Sequence, residues 1–186
     1  SGDAYERYMG RWSRRIAPVF LDWLNMPSGR SWIDIGCGTG ALSAAIADRH
    51  APGRLVGVDP SPAFIESARS QVAGLHEVRQ GDAQALPYPD REFDIAVSGL
   101  VLNFVADKAK AVAEMARVVR PGRTVALYVW DYAGHMQIVR HFFDAATELD
   151  PRAREFDDGF NAPNCRPERL PRPGRRGRRR PIAPIG

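Results

Sequence analysis

The residues best placed to do chemistry are Trp32-Ile33-Asp34-Ile35-Gly36-Cys37-Gly38-Thr39-Gly40. The first four are mostly β-branched or aromatic and read as a short buried strand. Glycines at 36, 38 and 40 let the backbone turn tightly and approach a ligand where a Cβ would intrude. From Ala41 the pattern turns helical, with Leu42, Ala45 and Ile46 on one stripe. A strand, a glycine loop and a helix N-terminus in series form a nucleotide site, because the N–H groups of the first turn have no intrahelical partner. Asp59 follows Gly40 by nineteen positions, at the tip of a second strand. A carboxylate there can accept both hydroxyl hydrogens of a ribose. The structural alternative is a turn or capping aspartate. As a strand-tip ligand, Asp59 is expected to matter for binding and little for stability.

Which nucleotide is a separate question. With Ala41 in the last position, the loop also fits the dinucleotide fingerprint, so the glycines alone decide nothing. Asp34 discriminates, since a carboxylate suits a ligand carrying an ammonium and a sulfonium better than a pyrophosphate. The run from Asp34 to Gly40 resembles motif I of the class I S-adenosylmethionine-dependent methyltransferases, an acidic residue, one apolar residue and Gly-x-Gly-x-Gly. Gly81-Asp82-Ala83 is similar to the segment in which that family holds adenine. The resemblance implies that Asp82 takes the amino group and that the Ala83 N–H meets a ring nitrogen. Ser98 to Val105 would then run past the methyl donor.

The resemblance covers residues 28–131 well and 1–27 and 132–165 loosely, and is nearest to the ubiquinone/menaquinone C-methyltransferase group. It implies S-adenosylmethionine as cofactor, a small-molecule acceptor, and a donor site of Asp34, Gly36, Cys37, Gly38, Gly40, Asp59, Pro60, Asp82, Ala83 and Ser98. Many relatives in this group carry a histidine near Asn103; here it is absent, so no catalytic base is assigned. Asn103 reads equally well as an inward polar residue bonded to backbone. Two other readings are a nicotinamide-dependent oxidoreductase, which Asp34 and Asp82 oppose, and a donor-binding protein without catalysis.

These residues need elements to position them. Arg54–Asp59 reads as a second strand ended by Pro60, followed by a helix capped by Ser61 with Phe64, Ile65, Ala68 and Val72 inward. Leu75–Gln80, Glu92–Ser98 and Thr124–Trp130 read as further strands. A helix capped by Asp107 stops at Arg120-Pro121-Gly122, and a final helix covers about Met136–Leu149. The alternation predicts an α/β, Rossmann-like, doubly wound sheet of five mainly parallel strands, with Asp34, Asp59, Asp82 and Ser98 at or just beyond carboxyl ends. Near the N-terminus, Asp3 caps a helix over residues 4–9 and Pro18 opens a second segment over 19–24. Tyr5, Tyr8, Met9 and Trp12 fall at helical spacing, as packing residues do, and residues 1–27 also resemble the family's lid helices.

A length of 186 residues with 44% apolar and 26% charged residues fits one globular domain, taken as residues 1–165 with a donor-binding core at 28–131. The formal charge of +4 is misleading. Residues 166–186 hold eight arginines against Glu168 alone, a net +7, which leaves −3 for the rest. Nucleic acid could be bound only through this tail, and no aromatic residue interleaves its arginines. The tail reads as disordered. Its Arg/Pro/Gly composition, in a chain whose only lysines are Lys108 and Lys110, points to a frameshift near Leu170. The family's sixth and seventh strands have no counterpart after Cys165, so the fifth strand is expected as an open edge prone to self-association. No apolar run reaches membrane-spanning length, and Cys37 and Cys165 suggest free thiols and a cytoplasmic setting. The four histidines stand alone, and none belongs to a metal-ligand spacing.

Overall fold

The computed structural model describes residues 10–132 and 136–161. The expected helix over 4–9, the whole of the Arg-rich tail and its proposed frameshift lie outside the described residues. Two compact units divide the chain between Tyr128 and Val129.

The first unit opens with α1, Arg11–Leu24, which runs unbroken through Pro18 rather than restarting there. The reason is burial. Ala17, Phe20, Leu21 and Leu24 are all buried against Trp32, Leu42, Ile46 and Leu55. Burying Phe20, Leu21 and Leu24 contributes about 1.5–3 kcal/mol each. Together that exceeds the roughly 3 kcal/mol a proline costs inside a helix. Arg11–Leu24 is thus a packed layer of the core.

The strands follow as β1 (Ser31–Ile35), β2 (Arg54–Asp59), β3 (Glu77–Gln80), β4 (Phe93–Gly99) and β5 (Val119–Tyr128). Between them lie α2 (Ala41–His50), α3 (Pro62–Gln71) and α4 (Lys108–Val118). All strand pairs are parallel, in the order β3-β2-β1-β4-β5. Alternate residues divide between two faces. Trp32, Leu55, Ile95 and Val97 meet α1 and α2, while Ile33, Ile35, Val56, Val58 and Ala96 meet Met115 and Val118 of α4. Ser61 caps α3 by accepting from the Phe64 N–H at 3.4 Å, and Asp107 caps α4 by accepting from the Lys110 N–H at 2.9 Å, as the sequence predicts.

The boundaries of two strands differ from expectation. β3 begins at Glu77 because His76 accepts the Leu55 N–H through Nδ1 at 3.1 Å, taking the place of a ladder carbonyl. β5 follows α4 directly and ends at Tyr128, not Trp130. Phe93 pairs with Val119 but Ile95 with Thr124, so Arg120–Arg123 loop out beside Asp94. Arg120 and Arg123 both reach the Asp94 carboxylate, at 3.2 and 3.3 Å. The expected Arg120-Pro121-Gly122 stop is therefore a bulge within the strand, with Gly122 at φ +79°. At the other end, the Tyr128 carbonyl accepts the Leu100 N–H at 2.8 Å, the last bond of that edge.

The second unit contains α5 (Gln137–Leu149), a 3-10 turn (Pro151–Phe156) and the short α6 (Asp158–Asn161). Arg140 pairs with both carboxylate oxygens of Asp157. No residue of α5 is buried, and Ile138, Phe142 and Leu149 are exposed.

Candidate functional site

Gly36, Gly38 and Gly40 all have positive φ, at +71°, +55° and +95°. The Gly36 and Cys37 N–H groups both donate to the Val58 carbonyl, at 2.7 and 3.0 Å, which lashes the loop to the end of β2. A Cβ on Gly36 would strike the Val101 side chain, and one on Gly40 would strike Val72. A Cβ on Gly38 would meet nothing within 4 Å. Gly38 is therefore where the loop faces open space, and a ligand can approach its backbone there.

The predicted acidic residues occupy distinct settings. Asp34 is 1% exposed, and its Oδ2 accepts the Ser43 hydroxyl at 2.7 Å. It is tied through Ser43 to the first turn of α2. Asp59, the last residue of β2, is also buried. Its Oδ2 accepts the Gly38 N–H at 2.9 Å and its Oδ1 the Ser61 N–H at 2.9 Å. The expectation of a free strand-tip carboxylate is thus corrected, because Asp59 holds the glycine loop in place. Each of its oxygens keeps a second lone pair for a ligand hydroxyl. Asp82 is exposed, just past β3, and its carboxylate accepts from Gln84.

The other predicted residues divide into facing and structural ones. Cys37 turns its thiol inward against Gly57 and packs with Ile65 and Val78, so its part in any ligand contact falls to its backbone. Burial pushes that thiol well above its ordinary range. Ser98 is buried and donates its hydroxyl to the Ile35 carbonyl at 2.8 Å, tying β4 to β1 just below Gly36. Pro60 is exposed and its carbonyl takes the Gln80 amide at 3.1 Å. Ala83 is half-buried beside the cluster containing Leu86 and Tyr88. Asn103 is half-buried in a 3-10 turn, Leu102–Phe104, whose Phe104 is 73% exposed. Among the described residues no group of His, Cys, Asp and Glu could hold a metal ion.

Sequence reasoning missed Ser43, Gln84 and the pair Leu100-Val101. Ser43 is a polar residue fully buried beside Leu42 and Ile46 on α2, which was the available signal. Leu100 is buried with φ +62°, a backbone strain that places Val101 against Gly36.

The electrostatics follow from these settings. Burial raises Asp34 to about 7, helped by the charge of Asp59 and opposed by the Ser43 bond. Burial also raises Asp59, against the pull of the Ser61 and Gly38 N–H groups. Asp82 is lowered by the Gln84 backbone and side chain. Asp34 thus binds its proton more tightly folded than unfolded. Its contribution to stability is full below about pH 4, where both states are protonated, and is lost as the pH rises through about 7. Asp34→Asn removes that loss, so thermal melts should show the variant gaining on the wild type between about pH 5 and about pH 8. A difference in Tm that stays constant over this range would mean that Asp34 does not titrate in the folded protein.

The open space beside Gly38, the Asp59 carboxylate at the end of β2 and the exposed carboxylate of Asp82 fit a nucleoside that carries positive charge. A family model described as a methyltransferase domain matches residues 33–127, just over half of the chain. An uncharacterized 37.1 kDa protein in a transposon of Streptomyces fradiae is 41% identical over 113 residues, covering 59% of this chain and 33% of that protein. Demethylmenaquinone methyltransferase of Desulfitobacterium hafniense is 40% identical over 103 residues, covering 52% of this chain and 41% of that enzyme. The chain thus spans less than half of either relative. A structure described as an S-adenosyl-L-methionine-dependent methyltransferase of Methanococcus maripaludis shares the fold, with a TM-score of 0.60 at 24% identity over 83% of this chain and 71% of that one. The nicotinamide-oxidoreductase alternative gains no support from these relatives. The chain belongs to the methyltransferase domain family and shares its fold with an S-adenosyl-L-methionine-dependent methyltransferase.

Proposed function

We propose that this chain performs methyl transfer from S-adenosylmethionine to a small-molecule acceptor. The observation that carries the reading is that Asp34, Asp59 and Asp82 lie at or just beyond the carboxyl ends of three adjacent parallel strands, with Asp59 bonded to Gly38, the loop glycine with open space beside it. When bound, the donor supplies a methyl group already activated on a sulfonium. The chain's part is then mostly to hold the reactants close and aligned, which can supply most of the acceleration. In this reading Asp34 and the Gly36–Gly40 loop hold the methionine part, the positive charge of the ligand drawing Asp34 to its ionised form. Asp59 accepts from the ribose while keeping the loop in place, and Asp82 and Ala83 hold adenine. The segment from Leu100 to Phe104 faces the acceptor. A small acceptor is favoured by the Desulfitobacterium relative, whose name gives demethylmenaquinone as its substrate.

Isothermal calorimetry tests the reading with S-adenosylmethionine, its demethylated product, NAD and NADP. Micromolar binding of the first two and none of the dinucleotides is expected; tighter binding of a dinucleotide sinks it.

A cytoplasmic setting belongs to the same reading. It is favoured by the free, buried Cys37 thiol. No described helix is long and apolar enough to cross a membrane. Self-association through β5 is a further part of it, since no described strand pairs with the outer edge of β5. Sedimentation velocity should show a concentration-dependent dimer, and a monomer at every concentration would exclude that contact.

A further inference from the structure

Asp82 is an exposed carboxylate on a short turn, a position where a side chain ordinarily samples several rotamers. Here it is held from one residue. The Gln84 N–H donates to Oδ1 at 2.8 Å, and the Gln84 side-chain amide donates to Oδ1 at 3.1 Å and to Oδ2 at 3.2 Å. The other end of that amide is fixed as well. Gln84 Oε1 accepts the Asp107 N–H at 2.9 Å. Only the amide oxygen can accept, so the Asp107 N–H dictates that the NH₂ end faces Asp82. Asp107 is itself fixed as the cap of α4, through the Lys110 N–H at 2.9 Å. A chain of hydrogen bonds therefore runs from the start of α4 to the Asp82 carboxylate and sets its plane.

We propose that Gln84 is a positioning residue that orients Asp82 to read an exocyclic amino group, and so sets the base specificity of donor binding. The inference rests on the reading above, in which Asp82 meets the adenine amino group. The donors from Gln84 leave Oδ2 with acceptor capacity on its ligand side. An exposed carboxylate is ionised at neutral pH, hence an acceptor only. A base with a keto oxygen in place of the amino group would set lone pair against lone pair. That penalty persists only while the carboxylate cannot turn away.

Gln84→Glu separates the two ends of the tie. It keeps an oxygen for the Asp107 N–H but loses the donor to Asp82 and places a second carboxylate beside it. Gln84→Ala loses both ends. Calorimetry on the wild type and both variants, with S-adenosylhomocysteine and S-inosylhomocysteine, reads the effect as a ratio of affinities. The wild type should prefer the adenosine ligand by at least about tenfold, and both variants should reduce that ratio by about tenfold. Thermal melts accompany each titration, to show that the variant is folded. A ratio unchanged in both variants overturns the assignment to Gln84. So does an equal loss of affinity for both ligands, which marks a merely structural role. Wild-type protein that binds neither ligand overturns the donor reading itself, and this inference with it.

Discussion

Asp59→Ala should weaken donor binding by about 1.5–3 kcal/mol, the scale of hydrogen bonds lost from a charged acceptor, and should lower stability as well. The second effect comes from the partners of Asp59. The Gly38 and Ser61 N–H groups both end on its carboxylate at 2.9 Å, and the side chain is buried. Truncation leaves these two donors unsatisfied, at about 1–3 kcal/mol each where water cannot replace the acceptor. A stability loss of about 2–6 kcal/mol follows, together with a glycine loop no longer held to β2 from this side. Asp59→Asn should fall between the two proteins, because its amide keeps one acceptor but turns an NH₂ toward the other backbone donor. Thermal melts without ligand and calorimetry with S-adenosylhomocysteine measure both losses. A variant that binds normally and melts lower would reduce Asp59 to a loop anchor. One that melts normally and binds weakly would show that the two backbone bonds contribute nothing to folding.

This double role explains why a sequence reading takes Asp59 for a free ligand. Type and position are written in the chain: an acidic residue at the end of an apolar run, before Pro60-Ser61. The Ser61 N–H is a local partner that the turn-aspartate alternative covers, but Gly38 is distant in sequence and meets Asp59 only once β1 and β2 pair. The same holds for Ser98, which reads as a residue facing the donor but spends its hydroxyl on the Ile35 carbonyl of the next strand. Cys37 reads as part of the loop, and it is, yet its thiol points the other way because Gly57 of β2 leaves room for it. What was legible is what period and local chemistry encode. The strand sequence, the caps Ser61 and Asp107, the division of apolar residues and the carboxyl-end placement of the acidic residues all belong to that class. Pro18 and the β5 bulge were misread for the complementary reason. A tertiary gain, the buried face of α1 in one case and the Asp94 pairing of Arg120 and Arg123 in the other, overrode a strong local signal.

The three loop glycines should separate when each is replaced by alanine, with the large stability losses expected at Gly36 and Gly40. At φ +95° an alanine is strained, and its Cβ would collide with Val72. Val72 is β-branched, buried at the end of α3 and cannot swing aside. Strain of about 1–2 kcal/mol and overpacking of about 1–3 kcal/mol together predict a loss of about 2–5 kcal/mol for Gly40→Ala. Gly36→Ala meets Val101, which is only half-buried on the segment after β4. The clash involves the Cβ and both Cγ atoms of Val101, so rotating that side chain gives no relief and a loss similar to that at Gly40 is expected, with a displaced segment after β4. Gly38→Ala meets nothing, and its φ of +55° lies where an alanine pays only the left-handed strain of about 1–2 kcal/mol. Its Cβ, however, enters the space through which the donor reaches the backbone. Gly38→Ala should therefore fold and yet lose donor affinity by at least about tenfold, the reverse of the balance at Gly40. Denaturant melts and calorimetry on the three variants give both quantities. If Gly38→Ala binds S-adenosylhomocysteine as tightly as the wild type, the donor does not approach the loop at this glycine, and the site must be redrawn around Asp59 and Asp82 alone.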